Sequence, residues 1–197
     1  ITNYGKDLSG LKALCEVLPS LKNPISLDLA GCYFKVAEVN ELAQAISAGA
    51  AVNSVTVDST GDMRNQKTYT LATGEGKIEL NDYYLGPADI NLISVWLATA
   101  AGAAIARLIL DGNNLVGDKS MEDVDTDITG VTSLFDNLKT SSVTALGLAR
   151  CRLGPGSLGK LAEYVREATA ALTSISCLAN KFGEEDLATL LTAIEGT

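Results

Sequence analysis

A repeated pattern of apolar residues constrains the fold of this chain more than any other feature of its sequence. In "LGLARCRLGPGSLGKLAEYV", residues 146–165, the apolar positions are separated by steps of 2, 3, 2, 5, 3 and 4. A step of 2 is the period of a strand, whereas steps of 3 and 4 are the period of a helix. Pro155 lies between the two patterns, at a position where a helix can begin. The segment therefore predicts a strand, a tight loop and a helix.

The same pattern recurs along nearly the whole chain. The predicted strands start at residues 27, 55, 78, 108, 146 and 175, which are 28, 23, 30, 38 and 29 residues apart. The copy at Val55, Val57 and Thr60 is a weaker one that contains only the strand, and residues 8–18 match the helical half of one more unit. A single unit cannot bury its apolar side alone, so we expect the units to stack.

The pattern LxLxxC/NxL followed by a helix resembles the leucine-rich repeats of the ribonuclease-inhibitor-like class, from about Asn3 to Ile194. The resemblance implies a curved α/β solenoid, with a parallel β-sheet on the concave face and helices on the convex face. It also implies that one side chain in each turn satisfies backbone groups after the strand, here that of Cys32, Asn113, Cys151 and Asn180. The chain departs from the pattern at Thr60 and Tyr83. Repeats of this kind indicate a fold and say little about function.

The composition agrees with stacked layers. Hydrophobic residues make up 47% of the chain but aromatic residues only 5%, so the core must consist of many Leu, Ile, Val and Ala side chains. We expect residues 1–197 to form a single leucine-rich-repeat domain of about six strand-bearing repeats and a partial N-terminal repeat. Because no polar cap is visible at either end, we expect the domain to belong to a larger chain or complex.

The spacing of 23 residues predicts an unusual repeat with an insertion near residues 61–77. Between Val57 and Ile78 there is no helical pattern, and residues 68–71 are strand formers. Gly74 and Gly76 can turn the chain back toward Ile78. We expect an extended segment or an irregular hairpin in place of the helix, which would expose a strand edge for attachment.

The spacing of 38 residues contains a second insertion, near residues 117–127. Asp123, Asp125 and Asp127 have the spacing of a calcium-binding loop. However, Ile128 stands where such a loop needs Gly, and Leu134 stands where it needs a bidentate Glu. Two interpretations remain open at this point, a calcium site and a solvated acidic loop.

The sequence lacks most of what catalysis requires. It contains no His, which is the commonest side chain for proton transfer near neutral pH. Gly74-Glu75-Gly76 is not followed by the Lys-Ser/Thr of a phosphate-binding loop. One branch of the resembled class activates GTPases, and Arg150 and Arg152 lie in a turn, but nothing else supports that role. We therefore expect no enzymatic activity and no cofactor.

Charge and cysteine usage limit the partners and the compartment. The net charge of −9 disfavours nucleic acid and anionic membranes as partners. The apolar run of residues 92–110 is interrupted by Arg107 and follows the repeat, so we expect no membrane span. None of the four cysteines forms a CxxC pair, and each has a structural reason to be buried, which favours reduced thiols in a cytoplasmic protein.

The residues that flank the strand leucines should point away from the core. We expect those of the first four strands to place Asp28, Asp58, Glu79 and Asp111 on one acidic surface, with Tyr33 and Tyr84 in the adjacent turns. Tyrosines beside charges are typical anchors of interfaces. The sequence therefore predicts a non-catalytic protein–protein interaction module that binds a basic or mixed protein surface through its acidic concave face. The alternative is an architectural subunit held in a larger assembly through its convex face and open ends.

The repeat also predicts the burial of individual side chains. Leu148 occupies the second inward strand position and should be buried. Trp96 and Tyr164 each precede the third core position of a helix, so we expect both rings to lie between adjacent helices and to be partly exposed.

Overall fold

The apolar residues at steps of 3 and 4 form six α-helices in the part of the chain that the structure describes. The structure, a computed structural model, describes residues 9–120, 122–169 and 172–196. The helices are α1 (Ser9–Val17), α2 (Val36–Ser47), α3 (Pro87–Leu97), α4 (Thr129–Leu138), α5 (Pro155–Glu167) and α6 (Glu184–Glu195). A 3-10 helix, Leu18–Ser20, follows α1. The predicted position Leu8 lies outside the described residues.

Each predicted strand start falls within an observed strand. The strands are β1 (Ile25–Asp28), β2 (Val52–Asp58), β3 (Thr68–Ala72), β4 (Lys77–Glu79), β5 (Arg107–Ile109), β6 (Ala145–Gly147) and β7 (Ser174–Ser176). They form a sheet in the order β1-β2-β3 and a second sheet in the order β4-β5-β6-β7. All neighbouring pairs are parallel except β2 and β3. The chain is therefore an α/β protein with one mixed sheet and one parallel sheet.

Local sequence explains where several helices begin. In α2, α3 and α6 an acidic side chain in the first turn accepts the backbone N–H of the residue before the helix. The acceptors are Glu38, Asp89 and Asp186, at donor–acceptor distances of 2.8, 2.8 and 2.9 Å. Each bond satisfies an N–H group close to the helix start that has no partner within the helix. Pro87 and Pro155, the first residues of α3 and α5, have a fixed backbone angle that suits this position.

The helices α2–α5 bury the same four positions of the repeat. In α5 these are Leu158, Leu161, Ala162 and Val165, all at most 5% exposed. The matching positions of α2, α3 and α4 are at most 4% exposed. They are Val39, Leu42, Ala43 and Ile46 in α2, Ile90, Ile93, Ser94 and Leu97 in α3, and Val131, Leu134, Phe135 and Leu138 in α4. Leu148 is also fully buried, as predicted. One hydrophobic cluster extends from Cys15 to Ala193 and includes residues of both sheets.

Helix α6 differs from the earlier helices at the same positions. Leu190 is 5% exposed, but Leu187 is 37%, Leu191 59% and Ile194 46% exposed. The repeat pattern places Leu187 and Ile194 at the core-facing positions of Leu158 and Val165, but both are much more exposed than those residues. Each of α2–α5 packs against the helix that follows it, and no described helix follows α6.

The partial exposure expected for Trp96 and Tyr164 is wrong, because both side chains are fully buried. α3 packs between α2 and α4, and α5 packs between α4 and α6, so the flank of each helix is covered by its neighbours. Tyr164 stacks on Phe135 with 6.0 Å between ring centroids. Burial raises the pKa of Tyr164 to about 12.

The segment between β2 and β4 is extended, in agreement with the absence of a helical pattern. β3 pairs with β2 and not with β4, so the turn at residues 73–76 does not close a paired hairpin. A buried carboxylate connects this segment to α3, since Asp89 accepts the Tyr69 hydroxyl at 3.0 Å and the Thr60 backbone N–H at 2.8 Å. Burial raises the pKa of Asp89, and the bonds from Gly86, Thr60 and Tyr69 oppose that effect.

Within the described residues, no helix is both long enough and apolar enough to cross a membrane. The apolar run of residues 92–110 is divided between the end of α3, a turn and β5.

Candidate functional site

Asparagine side chains hold two of the turns that follow the strands. We name these turns the post-strand turns, and they comprise residues 29–34, 80–85, 110–115, 148–153 and 177–182. The amide of Asn113 donates to the carbonyls of Leu80 and Leu110 at 2.8 and 2.7 Å, and its oxygen accepts the N–H of Leu85 at 2.9 Å. Asn180 makes equivalent bonds to residues 148, 177, 151 and 153. Each asparagine therefore bonds to its own turn and to the preceding one.

The two cysteines at this position behave differently. The Cys151 thiol is buried and donates to the carbonyl of Leu110, in the preceding post-strand turn, at 3.2 Å. Burial raises the pKa of this thiol to about 12, so the thiol is protonated at neutral pH. The burial expected for Cys32 is wrong, because its side chain is exposed. No described strand precedes β1, so the turn of Cys32 has no earlier described turn to bond with.

The post-strand turns place several residues in the left-handed backbone region. The φ angles are +55° at Tyr33, +56° at Tyr84, +54° at Arg150 and +61° at Arg152. This region costs a residue with a Cβ atom roughly 1–2 kcal/mol, which Gly avoids. Gly31 and Gly112 occupy it in two of the turns. The backbone conformation at these four positions favours Gly or Asn, so it does not explain why Tyr or Arg is found there.

Both predicted tyrosines are on the surface. Tyr33 is 56% exposed and Tyr84 is 41% exposed. The Lys67 ammonium lies 5.2 Å from the centroid of the Tyr84 ring and 5.5 Å from that of Tyr83. Lys67 also donates to the carbonyl of Asp82 at 2.7 Å. The sequence did not single out Lys67, because the extended segment brings it to the turn from outside the repeat pattern.

Two of the four predicted acidic residues are exposed, and their immediate surroundings differ. Asp28 is exposed and accepts the N–H of Ala30 at 3.1 Å. Glu79 is also exposed, and it pairs with Lys77 at 2.7 Å and with Arg107 at 3.0 Å. Hydrogen bonds from these two cations lower the pKa of Glu79. Its charge is therefore balanced by neighbouring strand residues.

The other two acidic residues support the backbone. The exposure expected for Asp58 is wrong, since this residue is 9% exposed and accepts bonds from the N–H of Gly31 at 2.7 Å and the hydroxyl of Thr68 at 2.5 Å. The pairing of β3 with β2 brings Thr68 over it. Asp111 is half-buried and accepts the N–H of Ala149 at 2.9 Å.

The acidic residues do not share one sheet. Asp28 and Asp58 belong to the strands of the first sheet, whereas Glu79 and Asp111 belong to or follow strands of the second. β3 forms the edge of the first sheet that follows β2, which separates the two pairs in hydrogen-bonding order. The four acidic residues therefore do not belong to one hydrogen-bonded sheet, and the exposed charges near the turns have both signs.

Arg150 and Arg152 lie in one post-strand turn but differ in their contacts. The Arg152 guanidinium donates to the carbonyl of Asp118 at 2.8 Å. Arg150 is more exposed and lies 3.8 Å from the Asp82 carboxylate. Arg152 is thus bound to the acidic insertion, while Arg150 adds a positive charge to the surface of the turns.

The three aspartates with the spacing of a calcium-binding loop accept backbone N–H groups at three different sites. Asp123 accepts the N–H groups of Lys119 and Ser120, and Asp127 accepts that of Thr129. Asp125 accepts the N–H of Gly154 at 2.9 Å and that of Ser157 at 3.1 Å, which caps the start of α5. Within the described part of the chain, no group of three or more Cys, Asp or Glu side chains is placed to hold a metal ion.

A lysine ammonium lies among the oxygens of this loop. Lys181 donates to the carboxylate of Asp118 at 2.8 Å, to the carbonyl of Ser120 at 3.2 Å and to the carbonyl of Asp123. Burial alone would raise the pKa of Asp118, but the bonds from Lys181 and Thr126 outweigh it and the pKa is lowered. Lys181 therefore supplies a positive charge in the acidic loop.

An open cleft of about 670 Å³ lies near the ends of α2 and α3. Its lining includes Val52, Ala98 and Ala101, and none of the described residues that line it is ionisable. It contains no group that could transfer a proton near neutral pH.

Comparison of this sequence with protein-family models and with curated proteins gives no match.

Proposed function

We propose that this chain is a non-catalytic protein-binding module that contacts its partner through Tyr33 and Tyr84 of the post-strand turns. The observation that carries the proposal is that two exposed tyrosines occupy left-handed backbone positions. The left-handed region costs a residue with a Cβ atom energy, and an exposed ring gains little from burial, so folding alone does not favour tyrosine at these positions. Tyrosine is also one of the side chains that dominate binding at interfaces.

The charges around the tyrosines favour a partner with a mixed surface. Asp28 supplies a negative charge, whereas Lys67 and Arg150 supply positive charges near the Tyr84 turn. Glu79 is balanced by Lys77 and Arg107. We therefore expect binding to depend moderately on salt and strongly on the aromatic rings, because exposed ion pairs contribute only about 0–1 kcal/mol each.

The proposed fold is a leucine-rich-repeat solenoid of the ribonuclease-inhibitor-like class. The repeated helix positions, the parallel strands and the asparagine bonds between successive turns support it. Stacked repeats present extended surfaces that commonly bind other proteins. The proposed location is the cytoplasm, which four free cysteines support because thiols stay reduced there.

The test compares capture of partners from native extract by three immobilised proteins. We expect the wild type and Val17→Asn to retain the same partner, and Tyr33→Asn/Tyr84→Asn to lose it. Val17 is a matched control because it is 52% exposed, on helix α1. With the purified partner, the double variant should bind at least tenfold more weakly, as removal of an anchor costs about 2 kcal/mol or more.

Two outcomes would contradict the proposal. If the double variant retains the partner as well as the wild type does, the tyrosines are not its contact. If Val17→Asn loses the partner instead, the helical face is the contact, and the architectural alternative is favoured.

A further inference from the structure

Helix α6 leaves apolar positions open that are closed in every comparable helix. Leu191 corresponds to Ala43, Ser94, Phe135 and Ala162, which are at most 1% exposed, yet Leu191 is 59% exposed. Leu187 is 37% exposed, whereas the matching Leu158 is 1% exposed. Each of α2–α5 has a following helix packed against it. At the position of Leu191, Ser94 bonds to Ser133 of the next helix and Phe135 stacks on Tyr164 of the next helix. The α6 positions are therefore those of a helix that lacks its neighbour among the described elements.

The strand before α6 is open on the same side. β7 pairs with β6, and no other described strand pairs with it. Leu178, in the post-strand turn after β7, is 76% exposed. We name the exposed side of β7 and α6, with Leu178, Leu187 and Leu191, the α6 face. The α6 face combines a strand edge with an apolar side of a helix. The same two features meet wherever one strand-turn-helix unit packs on the next.

Charge decides between possible occupants of the α6 face. Residues 184–195 contain four acidic residues and no basic one. A second copy of this face would bring like charges together, which is unfavourable. A partner with basic residues would be attracted instead.

We propose that the α6 face is a docking surface for a strand-turn-helix unit of a partner protein that carries basic residues. The partner's strand adds to the edge of β7, and its helix covers Leu187 and Leu191 as α5 covers α4. Where α5 packs on α4, Tyr164 stacks on Phe135, and Phe135 occupies in α4 the position that Leu191 occupies in α6. This surface is separate from Tyr33 and Tyr84, so it does not depend on the function proposed above.

A segment of this chain provides a probe with the required chemistry. Residues 145–169 comprise β6, its turn and α5, and they contain four basic and two acidic residues, a net charge of +2. The labelled peptide 145–169 can present to α6 the side that it presents to α4. Fluorescence anisotropy would measure its binding to the protein, and hydrogen exchange would locate the contact. Because the free peptide must fold as it binds, we expect weak affinity and compare variants under one condition.

The variants place one charge on either side of α6. Leu191→Asp puts a carboxylate in the α6 face, and Thr189→Asp puts the same group at an exposed position of the same helix. We expect Leu191→Asp to weaken peptide binding at least tenfold and Thr189→Asp to change it less than twofold. A peptide with Arg150, Arg152, Lys160 and Arg166 replaced by Gln should also bind at least tenfold more weakly at low salt.

Three results would overturn the proposal. Equal binding by the two Asp variants would place the peptide elsewhere, and absence of binding to the wild type at millimolar peptide would show that such a unit does not fit. Concentration-dependent dimerisation of the wild type, abolished by Leu191→Asp, would assign the α6 face to a second copy.

Discussion

At the residue scale, the proposed function depends on the backbone conformation and exposure of Tyr33 and Tyr84. Both have φ angles near +55°, and both expose much of their rings. The matching position of the next unit is Asn114, which has no positive φ and whose side chain bonds to the backbone of Asp118 at 2.7 and 3.1 Å. We therefore propose binding to a partner as the reason for tyrosine at these two positions.

Replacing Tyr33 should relieve backbone strain. We expect Tyr33→Asn to raise the free energy of unfolding by up to about 1 kcal/mol, because Asn tolerates the left-handed region better than Tyr. Denaturant titration measures this change. Met63→Asn is the control, as Met63 is 44% exposed and has no positive φ, so no gain is expected there. A loss of more than 1 kcal/mol for Tyr33→Asn would mean that the ring stabilises the fold.

Leu148 represents the opposite case of a residue whose role is packing. It is fully buried at the second inward strand position. We expect Leu148→Ala to lower the free energy of unfolding by about 2–5 kcal/mol through lost apolar contacts and a cavity. Leu178→Ala, at a 76% exposed position, should change it by less than about 0.5 kcal/mol. Similar losses for the two variants would contradict the inward orientation of Leu148.

At the scale of the elements, the acidic insertion links units that are not adjacent. It follows β5, and through Asp118 it contacts Lys181, which follows β7. Asp125 caps α5, where Ser157 stands at the position that is acidic in α2, α3 and α6. Stacked repeats ordinarily contact only their neighbours. The insertion therefore couples three successive strand-turn units.

Removing Lys181 should release this coupling. Asp118 is 1% exposed, so Lys181→Met leaves a buried carboxylate without its cation. We expect a loss of roughly 3 kcal/mol in the free energy of unfolding, at the lower end for a broken buried pair. Lys160→Met is the control, because the Lys160–Glu163 pair is exposed and contributes about 0–1 kcal/mol. Equal effects of the two substitutions would show that the buried pair has no special role.

The effect of Lys181→Met should depend on pH. The folded pKa of Asp118 lies below its ordinary value of about 3.9, so its ion pair stabilises the fold above about pH 4. This contribution is lost as the pH falls through the lower folded pKa. The stability difference between wild type and Lys181→Met should therefore shrink in acid. A difference that is constant from pH 7 to pH 2 would contradict this assignment.

The sequence predicts the elements better than it predicts the site. Apolar spacing places the strands and helices because burial follows the period of each element. It does not reveal that β3 pairs with β2 and covers Asp58, or that Arg107 balances Glu79 from 28 residues away. Lys181 lies 63 residues from Asp118, and no local pattern relates them. Contacts between distant segments therefore explain why the sequence did not predict the burial of Asp58 or the ion pairs of Glu79 and Asp118.

At the scale of the whole molecule, two surfaces have separate proposed roles. The post-strand turns carry Tyr33 and Tyr84, and the α6 face carries Leu187 and Leu191. The first combines aromatic rings with charges of both signs, and the second is apolar with acidic flanks. All four side chains are exposed, so we expect substitutions at either surface to leave the buried core unchanged.

Hydrogen–deuterium exchange of the protein with and without the captured partner tests the central claim most directly. We expect the partner to slow exchange mainly in residues 29–34 and 80–85, the turns that contain Tyr33 and Tyr84. The same experiment with Tyr33→Asn/Tyr84→Asn should show no slowing in these turns at the same concentrations. Slower exchange confined to helices α1–α5, with these two turns unchanged, would contradict binding through the tyrosines.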